Sequence, residues 1–245
     1  MADQTGSIKV TGRIGDMVFY FNRLAGRIVG RRVNPNFSET VKTHPSFRKF
    51  MMHAELMADA SAAAGLIRKC FGEAIKGISD SEVNTRLNVR AKKVIAGAHN
   101  TTVHPFHTEA VLGLKPFSFN AQHSLCNFIA SGFKTKIEAT KYIATFKPTV
   151  INNLYYATRY QIGSFVMGID FESKEFEGVN AMSKKLSIKD KIGGFKLTVE
   201  IPEGYPVYFG VIALRQFQYV NKRYSVLNNS TGHAADLMDV WIGKK

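Results

Sequence analysis

Residues 8–33 read IKVTGRIGDMVFYFNRLAGRIVGRRV. Two runs with strand character, 8–14 and 17–21, flank Gly15-Asp16, and a third, 27–33, follows Leu24-Ala25-Gly26. Glycine supplies the positive φ that tight hairpin turns require, so the stretch predicts an antiparallel meander. Its mixture of side chains is unlike that of a core. Phe19, Tyr20 and Phe21 lie among Arg13, Arg23, Arg27, Arg31 and Arg32, and a strand buried on both faces does not carry so many guanidinium groups. Either these arginines leave one face wet and positive, or they pair with something outside this domain.

Downstream, a polar link over residues 34–43, with Asn34-Pro35-Asn36 as its turn signal, separates the meander from a helix. Thr43 is the expected N-cap and Pro45 falls in the first turn. Apolar residues then recur at Phe47, Phe50, Met51, Ala54, Met57, Ala58, Leu66, Phe71 and Ile75, near the helical period. The middle, Ala60-Ser61-Ala62-Ala63-Ala64-Gly65, is nearly all small, which lets another backbone come close, within the chain or from a second subunit. Gly77 ends this helix, and Ser79 with Glu82 fits a capping box opening a second. Val83, Leu87, Ala91, Val94 and Ile95 form the buried stripe of the second helix. Arg86, Arg90 and Lys93 line one of its faces, which is either solvated or able to meet phosphate.

A loop over residues 97–113 holds His99, His104 and His107. Imidazole is the commonest transition-metal ligand, yet no cysteine or carboxylate completes a recognised pattern, and His-Pro-Phe-His imposes an irregular backbone. The expectation is a loop that packs and caps, with no metal and no cofactor. From residue 115 the pattern changes to period 2. Strands are expected at 116–120, 136–146, 155–161, 164–171, 195–201, 207–220, 223–227 and 237–241, the residues of an antiparallel sandwich or small barrel. Val207 to Leu214 is continuously apolar, as a central strand covered on both faces would be, and Asn221-Lys222 turns it back. Between these strands Asp170, Glu172, Glu175 and Glu177 form an acidic run. It reads as a solvated loop, or in an oligomer as a partner for a neighbour's arginine face.

The composition bounds the rest. At 245 residues the chain buries a sizeable core without disulfides or metals. Lys plus Arg number 33 against 19 Asp plus Glu, a net charge of +14 with pI near 9.8. Such an excess favours polyanions: DNA, RNA, an anionic surface or an acidic protein. Cys70 and Cys126 have no paired spacing and read as two buried small hydrophobes in a reducing compartment. No signal-peptide core and no apolar run of about 18 residues occurs, so the expected location is cytoplasmic or particle-associated, with no membrane span. The chain contains no P-loop, GxGxxG, HExxH, GxSxG or paired CxxC, which lowers the prior for an enzyme.

The opening GSIKVTGRIGDMVFYFNRLAGRIVGRR resembles the start of a family of uncharacterised proteins from Bacteroidota and elements integrated in their genomes, whose members typically open with G-x-I-K-x-x-G-x-I-G-D-x-x-F-Y. HPSFRKFMMHAELMADASAAAGLIR, LGLKPFSFN and VYFGVIALRQFQYVNKRYSVLNN are similar in the same order. The chain departs from the pattern at residues 22–26, where the family more often has a Lys- and Gly-rich turn. No activity or catalytic residue comes with this resemblance; it implies an intracellular or particle-borne bacterial protein and favours a structural part.

These readings combine into an α+β chain: an arginine-rich β-meander arm at 1–43, two helices within 44–98, and an antiparallel β-sandwich or barrel at 115–245. The expected function is a non-enzymatic structural or self-assembly protein, a phage-like particle or filament component, working as a homo-oligomer or with an assembly partner. The alternative is a sequence-nonspecific DNA or RNA binder. In both, the contact residues are Arg13, Tyr20, Phe21, Arg23, Arg27, Arg31, Arg32, Arg86, Arg90 and Lys93.

Overall fold

The computed structural model describes residues 2–3, 10–23, 25–98, 102–129, 132–148, 151, 157–189, 193–227 and 232–243, and shows an α+β chain of two compact units, Met1–Glu55 and Leu56–Lys245. The first unit holds a four-stranded antiparallel sheet. Its strands are β1 (Ala2–Asp3), β2 (Gly12–Ile14), β3 (Met17–Asn22) and β4 (Arg27–Arg32), in the order β1-β4-β3-β2. Gly15, at φ +58°, makes the β2–β3 turn, and Gly26, at φ +63°, precedes β4. Both conformations favour glycine.

Helix α1 (Phe37–Thr43) occupies most of the stretch that the sequence presents as a polar link. Asn34 Oδ1 accepts the Asn36 N–H at 3.0 Å, folding the chain back just before the helix begins. Thr43 is therefore the last residue of α1 and not an N-cap. The next turn, Pro45–Phe47, is opened by His44, whose Nδ1 accepts the Ser46 N–H at 3.3 Å. Helix α2 (Arg48–Cys70) follows, and the boundary between the units falls within it.

The second unit is layered. After α3 (Gly72–Ile75) and α4 (Val83–Gly97) come two 3-10 turns, Pro105–His107 and Glu109–Leu114, then β5 (Phe117–Ser118) and α5 (Leu125–Phe128). The remaining strands are β6 (Phe133–Glu138), β7 (Lys141–Phe146), β8 (Arg159–Asp170), β9 (Glu175–Met182), β10 (Leu186–Ser187), β11 (Phe195–Glu200), β12 (Val207–Val220), β13 (Arg223–Val226) and β14 (Ala234–Ile242). β5, β8, β9, β10, β12, β13 and β14 make a seven-stranded sheet, and β11-β7-β6 a three-stranded one.

Strand β12 lies between β8 and β14, and the strand alternation gives it two cores. Phe209, Val211 and Ala213, with Phe165, Met167 and Ile169 of β8, pack with Ala60, Ala63, Ala64 and Ile67 of α2 and with Leu87 and Val94 of α4. Ile212 and Leu214, with Tyr160, Ile162 and Val166, pack with Tyr142, Ala144, Phe146, Leu197 and Val199 of the three-stranded sheet. Cover on both faces is why Val207 to Leu214 reads as an unbroken apolar run. At its far end Asn221 and Lys222 both take positive φ, +51° and +61°, turning β12 into β13.

Further expectations change, and the single strand expected at 136–146 is the hairpin of β6 and β7. The strands form an open sandwich and do not close into a barrel: β9 and β10 pair along one side of β8, and the two-residue β5 covers little of β14. The expected strands at 155–161 and 164–171 are one strand, β8, with Tyr155 and Tyr156 outside the described residues. The acidic run is not all loop either. Its second half is β9, an edge strand along β8, whose exposed Glu175 and Glu177 hide its strand character. Among the described residues no helix is long and apolar enough to cross a membrane.

Candidate functional site

In the first unit, the register sorts the side chains. Residues directly paired across antiparallel strands share a face. Phe21 pairs with Ile28, Phe19 with Gly30 and with Gly12, and Met17 with Arg32 and with Ile14. Tyr20 pairs with Val29, Asn22 with Arg27, and Val18 with Arg31 and with Arg13. One face is therefore apolar, carrying Ile14, Met17, Phe19, Phe21 and Ile28 with Arg32 at its margin. The other carries Arg13, Arg27 and Arg31 around Tyr20, and the Arg31 guanidinium lies 5.7 Å from the Tyr20 ring centroid. Tyr20 and Phe21, adjacent in sequence, thus serve opposite faces.

The remaining arginines of the arm divide further. Arg32 Nε donates to Asp16 Oδ2 at 2.6 Å in a solvent-exposed ion pair, of a kind that adds little stability. Arg13 Nε donates to the Gly15 carbonyl at 3.0 Å. Arg23 is exposed in the turn before β4.

On α4 the expected basic face is only partly available. Arg86 donates to the Ser118 carbonyl at 2.6 Å and to Asp80 Oδ2 at 2.7 Å, and lies 5.2 Å from the Phe117 ring centroid. Asp80 Oδ2 also accepts the Ala121 N–H at 2.7 Å, and its Oδ1 accepts the Glu82 N–H at 2.9 Å. Asp80, not Ser79, thus organises the start of α4, and Arg86 fastens that helix to the chain around β5. Arg90 reaches the Gly113 carbonyl at 3.3 Å, while Lys93 is exposed.

Two of the three histidines converge; His99 lies outside the described residues. The His104 and His107 ring centroids are 5.1 Å apart, and His104 lies flat against Phe171 at 5.7 Å. Each ring has a nitrogen occupied by backbone: His104 Nδ1 accepts the Phe106 N–H at 3.3 Å, and His107 Nε2 accepts the Phe171 N–H at 3.1 Å. Burial, and next the neighbouring His107, push His104 below the ordinary histidine range, with Glu172, Asp170 and Asp59 opposing. Burial acts to raise Asp170. The N–H groups of Glu172 and Ser173, the Ser173 side chain and His107 outweigh it and hold the carboxyl below the usual range. Among the described residues no group of three or more His, Cys, Asp or Glu is arranged to hold a metal.

His104 also lines a cavity of about 580 Å³. Asp59, Ala62, Ala63, Gly65, Leu66 and Lys69 of α2 form one wall, and Ile95, Pro105, Phe106, Phe171 and Lys174 complete it. The small run packs closely within the chain through Ala60, Ala63 and Ala64, and Ala62, Ala63 and Gly65 border this space. Elsewhere in the unit, Cys70 is buried and its thiol is pushed up to about 12 by that burial, whereas Cys126 is exposed, contrary to its reading as a buried hydrophobe.

No family model and no curated protein matches the chain.

Proposed function

We propose that the chain is a non-enzymatic structural or assembly protein, a component of a particle or filament, whose N-terminal unit docks onto a second copy. One observation carries this reading. Among the described residues of the first unit, only Ile28 and Val29 are buried hydrophobics, while Val10, Ile14, Tyr20, Phe21, Phe37, Phe50 and Met52 are exposed. A sheet that leaves Ile14 56% and Phe21 57% exposed has an apolar face for another surface to cover. Charge supports a second copy as a partner of the arm's other face. The opposite face presents Arg13, Arg27 and Arg31, and the β8–β9 turn with the start of β9 presents exposed Glu172, Glu175 and Glu177. The resemblance of the opening segment to the Bacteroidota family agrees with a particle-borne part.

Light scattering over a range of concentrations tests this. The full chain is expected to assemble, and the double substitution Ile14→Lys with Phe21→Lys to leave a monomer with an unchanged circular dichroism spectrum. A wild-type chain that stays monomeric at high concentration would sink the reading.

A second reading is favoured by the register alone. Arg13, Arg27 and Arg31 on one exposed face around Tyr20 form a basic platform with a ring for stacking, suited to single-stranded DNA or RNA. Losing those three arginines would reduce the salt dependence of binding by about 0.7 per lost phosphate contact on a single strand. Absence of binding at low salt removes this alternative.

A further inference from the structure

The cavity beside His104 lies away from the two faces of the arm, with Lys174 of the β8–β9 turn on its wall, and its chemistry is specific. Its volume of about 580 Å³ lies within the roughly 300–1,000 Å³ range of small-molecule sites. The body of the wall is apolar: Ala62, Ala63, Leu66, Ile95, Phe106 and Phe171. Polar groups are few. Lys69 and Lys174 lie on the wall with one lining carboxylate, Asp59, and the His104 imidazole, and the carboxylates of Glu172 and Asp170 also act on His104 from outside the lining. With Nδ1 of His104 accepting a backbone N–H, the neutral ring carries its proton on Nε2.

Lys174 is the residue that sets this wall apart. It sits in the β8–β9 turn at φ +63°, a left-handed conformation that glycine adopts freely and a lysine adopts at a cost. Turn geometry alone would select glycine there. A lysine at that position instead brings a cation to the cavity wall.

We propose that this cavity binds a small organic carboxylate with an apolar body, the head held by Lys69 and Lys174 and the body lying against Leu66, Ile95 and Phe171. The two lysines favour an anionic head, and the Phe171–His104 stack offers a flat wall to an acyl chain or an aromatic ring. This site makes no use of the open apolar face of the arm, because every lining residue belongs to the second unit.

Isothermal titration of the full chain with benzoate and octanoate tests it, with benzamide and inorganic phosphate as comparison probes. Saturable binding of at least one carboxylate is expected, with benzamide at least tenfold weaker than benzoate and no competition from phosphate. Two variants separate the site from the fold. Lys174→Gly should weaken carboxylate binding at least tenfold while the melting temperature holds or rises. Ala62→Phe, at an exposed helix position, should fill the cavity and abolish binding with the melting temperature held. The proposal is overturned if neither carboxylate binds at about 10 mM, where even a site of ~1 mM Kd would fill. Equal binding of benzamide and benzoate, full displacement by phosphate, or undiminished binding in Lys174→Gly would each overturn it as well.

Discussion

The two large antiparallel sheets of this chain follow the same alternation and end in different states. In the second unit, β12 meets helices on one face and a three-stranded sheet on the other, so Phe209, Val211 and Ile212 are fully buried. In the first unit, β3 has faces just as distinct, yet Phe21 remains 57% exposed. The difference lies in cover, not in strand chemistry. A sheet always produces two faces, and an apolar face becomes core only if the same chain supplies a layer to bury it. One left open is a surface for a partner.

The largest effect expected from this contrast comes from truncating one aromatic in each sheet. Phe209→Ala should cost about 3–5 kcal/mol, because it removes a fully buried ring from a two-sided core. Phe21→Ala should change the stability of the dilute protein by no more than about 0.5 kcal/mol, as at other exposed positions. Urea unfolding is the measurement, read by far-ultraviolet circular dichroism for the whole chain and by tryptophan fluorescence for the second unit alone. The chain has one tryptophan, Trp241, stacked on Tyr142 and Tyr208 with centroids at 5.8 and 5.5 Å, so the signal reports the second unit. Equal losses in the two variants would erase the distinction between covered and open faces.

A smaller effect follows from pH. His233 is 1% exposed, with Nδ1 accepting the Gln216 N–H at 3.0 Å and Nε2–H donating to the Leu227 carbonyl at 2.7 Å. Burial lowers its pKa, Arg215 adds to this, and the Leu227 hydrogen bond opposes it. His104 is lowered too, first by burial. A histidine below its ordinary value binds fewer protons folded than unfolded. Its contribution is therefore complete above about pH 6.5 and is lost as pH falls toward the depressed folded value. Half-buried Asp236 is shifted up by desolvation and acts in the opposite sense, so the histidine share is isolated by comparison. The second unit should lose stability between about pH 7 and about pH 5, and His233→Gln should flatten that slope. An identical slope in the variant would show that His233 does not titrate in this range.

How much of this the sequence disclosed depends on whether a feature is local. Gly15, Gly26 and the Asn221-Lys222 pair announced their turns because φ preference is a property of single residues. The unbroken run from Val207 announced a strand covered twice. β9 was hidden because an exposed edge strand with Glu175 and Glu177 has the composition of a loop. The division of the arm into an arginine face and an apolar face needed the register, since Tyr20 and Phe21 look alike until their cross-strand partners are known. The cavity was least legible. Asp59, His104 and Lys174 lie far apart in sequence, and no local spacing marks their convergence.

The smallest expected effect is the most discriminating. Among the described residues, both hydrophobic clusters of the second unit begin no earlier than Ala60. Deleting residues 1–33 should therefore leave the urea midpoint of Trp241 fluorescence unchanged at low concentration. At high concentration the full chain should become the more stable of the two, because assembly favours the folded state by mass action and the deleted form has lost its docking face. That gap should close on dilution. A midpoint that falls in the deleted form at every concentration would mean that the arm belongs to the core of the second unit; its arginines would then be internal partners, and the open apolar face would not be an interface.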